Sequence, residues 1–154
     1  MKIAAISTFT LAAMLVNAPC QAANCSAENS MTSVKNFKVG ALEYVEFKIK
    51  SSASFVTTTA AVTGPFTEEP GDIPVTPIPV NGALFTKIQF HLLSWDCTIP
   101  KAFSAKAIIK DVKQVEQFEG YVSYVIGRRS ASHYLNTVDV PCDASHCVRV
   151  KFGP

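Results

Sequence analysis

The chain is short of charge, histidine and tryptophan. Only 17% of its 154 residues are charged, and it has 3 His and 1 Trp. With Lys+Arg 14 against Asp+Glu 12, neither sign dominates. That balance excludes the strongly basic class of nucleic-acid binders. Beyond the first 25 residues there is no run of about 18 apolar residues, so no internal membrane-spanning helix is expected. Repeats and low-complexity tracts are also missing. What is present is apolar: 48% of the residues, enough for a packed core in one domain.

The opening residues read as an address. Lys2 precedes an apolar stretch over residues 3–16, and Asn17, Ala18 and Pro19 break it. Small residues at Cys20 and Ala22 fit a secretory signal peptide over residues 1–22, cut after Ala22 or Ala23. A lipid anchor on Cys20 is the rival reading, and Pro19 directly before the cysteine speaks against it. A periplasmic or secreted location follows. Loss of Lys2 leaves 13 cations against 12 anions, a surface without electrostatic steering.

Cleavage leaves Cys25, Cys97, Cys142 and Cys147, an even number suited to an oxidising compartment. Three pairings are possible. Cys142 and Cys147 enclose only Asp143, Ala144, Ser145 and His146, a turn that can close a bridge between strand ends. Cys25 then pairs with Cys97 by elimination. A metal site built on Cys142, Asp143, His146 and Cys147 is the alternative, but the spacing matches no usual zinc pair. No metal or other cofactor is expected.

Strand periodicity dominates the rest. In residues 44–50, Val45, Phe47 and Ile49 alternate with Glu46, Lys48 and Lys50, as in a half-buried antiparallel strand. Residues 84–90 place Leu84, Thr86, Ile88 and Phe90 on one side. Val148, Val150 and Phe152 alternate with Arg149 and Lys151. Weaker strands are expected over 29–39, 55–62, 106–115, 121–126 and 135–140. Five of the 9 prolines fall between residues 63 and 82, which excludes a central strand there. Residues 73–80 are expected as an edge strand or polyproline segment, joined to the next strand by a hairpin at Asn81-Gly82. The sum is an all-β, single-domain β-sandwich or small barrel of about eight to nine short strands with two disulfides.

Several blocks in this order carry a family likeness. They are residues 43–47, the proline-rich run 73–83, Ile109-Lys110-Asp111-Val112-Lys113, and Gln117-Phe118-Glu119-Gly120-Tyr121 with the strand running to Gly127-Arg128. The closing block is residues 148–152. Together they resemble the AMIN-like domains of secreted bacterial proteins, over roughly residues 31–152. The resemblance implies a β-sandwich module over residues 23–154, a place in the cell envelope and a binding role. Two departures stand out. Tyr44 occupies a position where such domains often carry a basic residue, and the Cys142–Cys147 turn replaces a proline-arginine turn.

For binding, Phe118, Tyr121, Tyr124, Arg128, Arg129 and Tyr134 crowd into seventeen residues. Aromatic rings stack on sugars or apolar groups, and arginine forks carboxylates. The expected partner is cell-wall polymer (peptidoglycan) or an envelope protein. Tyr121 and Tyr124 point to opposite strand faces, so one of them belongs to the core. A small secreted hydrolase is the second reading. His91, His133 and His146 are its candidate bases, but no strand–nucleophile–helix elbow supports it. A secreted inhibitor or effector that inserts the proline-rich loop into another protein is the third.

Overall fold

The computed structural model describes residues 28–51, 57–67, 76–91, 93, 101–118 and 120–154. The expected leader and the expected Cys25–Cys97 bridge lie outside these residues.

The described residues form strands and no helix. The strands are β1 (Ser30–Val39), β2 (Leu42–Lys50), β3 (Thr57–Val62), β4 (Leu84–Phe90), the two-residue β5 (Lys101–Ala102), β6 (Ile109–Phe118), β7 (Tyr121–Arg128), β8 (His133–Cys142) and β9 (Ser145–Gly153). Sheet A has the order β5-β1-β2-β9-β8, and sheet B the order β3-β4-β7-β6. Apart from the short parallel contact of β5 with β1, every pairing is antiparallel. The expected β-sandwich is the observed fold.

Alternation decides the faces. Val45, Phe47 and Ile49 of β2 turn inward, as do Val148, Val150 and Phe152 of β9. Ile88 and Phe90 of β4, and Val122, Tyr124 and Ile126 of β7, meet them from sheet B. The Phe47 ring lies 5.0 Å from both Phe90 and Tyr124, so one side chain ties the layers together. Truncating a buried Phe of this kind costs about 3–5 kcal/mol.

One polar residue also crosses the interior. Glu43 of β2 is fully buried, and its Oε2 accepts hydrogen bonds from the backbone N–H groups of Ile108 (3.0 Å) and Ile109 (2.7 Å). Ile109 opens β6 and Ile108 directly precedes it, so a sheet A carboxylate holds the start of a sheet B strand. At the opposite flank Thr59 of β3 and Thr137 of β8 share a hydrogen bond of 3.1 Å.

Three tight hairpins build most of the ladder: β1–β2, β6–β7 and β8–β9. The last turns at Asp143, whose φ of 55° suits the short polar side chain of Asp. Cys142 and Cys147 form a disulfide across that turn, with Cα atoms 5.7 Å apart. The bridge favours the expected oxidised pair over a metal site, because neither sulfur remains a thiolate.

The expected hairpin at Asn81-Gly82 does not form. β4 pairs with β3 and β7, and residues 76–80 run along the outside, held by Ile78 N–H donating to the Phe66 carbonyl at 2.8 Å. Asn81 N–H instead donates to Asp111 Oδ2 (3.1 Å). The chain then crosses close over Gly127, where an added Cβ would sit 2.0 Å from the Asn81 carbonyl oxygen. A glycine on each side of this crossing makes the approach possible. The strand expected over 106–115 is also shifted, since β6 runs from Ile109 to Phe118.

Two stability predictions follow from these contacts. Glu43→Ala leaves two buried N–H groups unsatisfied and lowers unfolding free energy by about 3 kcal/mol in urea titration. Removing the Cys142–Cys147 bridge by double serine substitution costs about 2 kcal/mol, the small loop limiting the effect.

Candidate functional site

The six residues expected to share a patch are dispersed. Phe118 and Tyr121 face each other across the β6–β7 turn and are exposed, at 41% and 42%. Tyr121 also packs edge-on against His91, with centroids 5.0 Å apart. Tyr124 belongs to the core. It is fully buried, burial pushes its phenol above the ordinary value, and its hydroxyl donates to Gln114 Oε1 at 3.2 Å. Arg128 stands at the far end of β7, about 23 Å from Tyr121 at strand rise. It is only 8% exposed, and its Nη1 donates to the carbonyl and Oγ of Ser132. Arg129 N–H donates to the Ile108 carbonyl, and its Nε is buried without a partner. Tyr134 opens β8, its ring against Phe152 and its hydroxyl 3.1 Å from Thr137 Oγ1. The single patch is therefore replaced by two separate ends and a core residue. Neighbours in sequence along a strand are spread by its length.

A different surface is assembled from residues that are far apart in sequence. On the outer face of sheet A, Lys35 of β1 registers with Glu46 of β2, and Glu46 with Arg149 of β9. The next row pairs Phe37 with Tyr44, and Tyr44 with Lys151. Phe37 and Tyr44 stack at 5.0 Å with 5° between their planes. The Arg149 guanidinium reaches over the Phe37 ring at 5.8 Å. Its Nε donates to Glu46 Oε2 (2.7 Å), while Lys35 Nζ lies 2.9 Å from Glu46 Oε1. Lys48 pairs with the exposed Asp143 at 2.7 Å. Lys151 makes no ion pair among the described residues.

The electrostatics turn on Glu46. Burial alone would raise its carboxyl, but hydrogen bonds and charge from Lys35 and Arg149 outweigh that and hold it below its ordinary value. The anion is fixed under the face, and the cations that hold it project outward. Cross-strand spacing of about 4.8 Å and same-face spacing of about 6.7 Å set the grid on which these groups stand. The alternation of residues 44–50 already indicated the polar side of β2. Its partners Lys35 and Arg149 were not legible, because the register of β1 and β9 joins them.

The histidines do not assemble a hydrolytic centre. His146 Nδ1 pairs with Asp139 Oδ1 at 2.9 Å, but no serine hydroxyl completes the set among the described residues. Ser123 Oγ donates to Glu116, and Ser132 Oγ to the Arg129 carbonyl. His91 Nε2 is buried without a partner.

Searches find no family model that matches the chain, and no curated protein or solved structure that is similar to it.

The Glu46 carboxyl sits below its ordinary 4.5 in the fold, so it contributes stability above that pH and loses it as pH falls through the folded value. Thermal unfolding from pH 7 down to pH 3 is expected to show a smaller acid-side loss for Glu46→Gln than for the native chain.

Proposed function

We propose that this is an exported, non-enzymatic module of the cell envelope that binds anionic cell-wall polymer, peptidoglycan, through the outer face of sheet A. The observation that carries the reading is the set formed by Lys35, Arg149 and Lys151 around the stacked Phe37–Tyr44 pair. Extended polymers are met by broad, shallow faces, and a sheet face three strands wide suits one. The cations match the carboxylates of the polymer's peptides, and the aromatic edges offer apolar contact to sugar rings. Glu46 keeps the arrangement rigid, so little side-chain entropy is lost on binding.

The disulfide is compatible with an oxidising compartment. The envelope setting rests on the leader-like opening residues and on the likeness to AMIN-like domains, which the blocks quoted above alone carry. A catalytic reading has no comparable support, since no serine hydroxyl among the described residues is paired with a histidine.

Retention on purified peptidoglycan sacculi tests the proposal. The native protein is expected to bind in low salt and to weaken as ionic strength rises past about 0.15 M, where exposed charges are screened beyond about 8 Å. Lys35→Gln combined with Lys151→Gln, both outside the core, is expected to reduce affinity about tenfold, equivalent to about 1.4 kcal/mol. No retention of the native protein in low salt overturns the reading, as does full retention by the double variant.

A further inference from the structure

A second site lies at the end of the sandwich, away from sheet A's outer face and independent of the reading above. The register places Ala61 beside Thr86, Thr86 beside Ile126, and Leu84 beside Arg128. By alternation Ala61, Leu84, Thr86 and Arg128 share the inner side of sheet B at its lip. Ala61, Leu84 and Arg128 border a cavity of about 380 Å³, walled also by Val62, Thr63 and Phe85.

Arg128 is the anomaly there. It is nine-tenths buried, yet no carboxylate lies within 4.0 Å of it among the described residues. Nη1 is used by Ser132, and Nε makes only a long 3.5 Å contact with Thr86 Oγ1. Nη2 has no hydrogen-bond partner among the described residues. A guanidinium stays charged at any working pH, and its Nη2 edge is open to solvent at the cavity rather than sealed in the core. The buried carboxylates each have at least one oxygen provided for, although Glu43 Oε1 has no partner. Glu46 has two cations, Glu43 has two N–H groups, and Asp111 accepts from Asn81 and Val112.

We propose that this cavity is a binding pocket for a carboxylate carried on a short aliphatic stem, with Arg128 as the anion-binding residue. The free edge of the guanidinium supplies donors in the fork geometry that carboxylates match. The methyl of Ala61 and the side chain of Leu84 suit methyl-sized substituents, as in the terminus of an alanyl peptide. Such a terminus occurs on cell-wall stem peptides and on proteins, and the configuration of the residue distinguishes them.

Isothermal titration of the full chain with N-acetyl-alanyl-alanine, as the L,L and D,D free acids and as their amides, tests the pocket. The acids are expected to bind with Kd on the order of 1 mM or tighter, and the amides at least about tenfold more weakly. A D,D preference assigns cell-wall peptide as the source, and an L,L preference assigns protein termini. Leu84→Glu sets an anion at the mouth on a partly exposed side chain and is expected to abolish binding of the acids. It leaves retention on sacculi through Lys35 and Lys151 unchanged, so the two sites are read separately. Arg128→Lys keeps the charge without the fork and is expected to weaken binding about tenfold, for the loss of one bidentate contact. Equal binding of acid and amide, no heat from either acid at several times that concentration, or full binding by Leu84→Glu overturns the proposal.

Discussion

The Glu43 carboxylate is the contact on which the sandwich depends. Two apolar sheets slide against each other with little preference, because hydrophobic attraction is non-directional. A buried carboxylate that receives two backbone N–H groups has one good position. It fixes where β6 begins relative to β2. Since β6 pairs with β7 and β7 with β4, that choice propagates through sheet B. Phe47, packed on Phe90 and Tyr124, then fills the space that the polar contact has set.

Charge is used sparingly, and the buried carboxylates have visible partners, though Glu43 Oε1 and Arg129 Nε are left without one. Glu46 lies beneath two cations. Glu116 accepts from Ser123 and Gln89 and lies 3.5 Å from Lys87; burial alone would raise it, but these partners bring it below its ordinary value. Asp111 serves backbone N–H groups and so holds the crossing at Asn81. Arg128 alone faces a cavity without an anion among the described residues. The two candidate binding regions thus differ in kind. One is a broad cationic face on an ion-paired scaffold, and the other is a single guanidinium at a cavity's edge.

Strand content and faces were legible in the chain because a strand's period of two is a local property. Residues 44–50 and 148–152 show it without help from any neighbour, and their inward residues are those expected. Where turn chemistry was read in isolation, the outcome differed. Asn81-Gly82 has the composition of a hairpin turn, yet Asp111, thirty residues on, captures the Asn81 amide. A distant acceptor outweighed a local preference. The aromatic and arginine crowd at residues 118–134 failed as a patch for a related reason. Proximity along an extended chain separates groups by about 3.3 Å per residue and alternates their faces.

The amino-acid order by itself determined that the protein is built of strands, that one face of each main strand is apolar, and that Cys142 can reach Cys147 across a short turn. Only the tertiary structure decided which strands lie side by side. That decision put Lys35 beside Glu46 and Glu46 beside Arg149, and it left Arg128 buried at a cavity's edge. Periodicity is written in consecutive residues, whereas register is settled by contacts between segments a hundred positions apart.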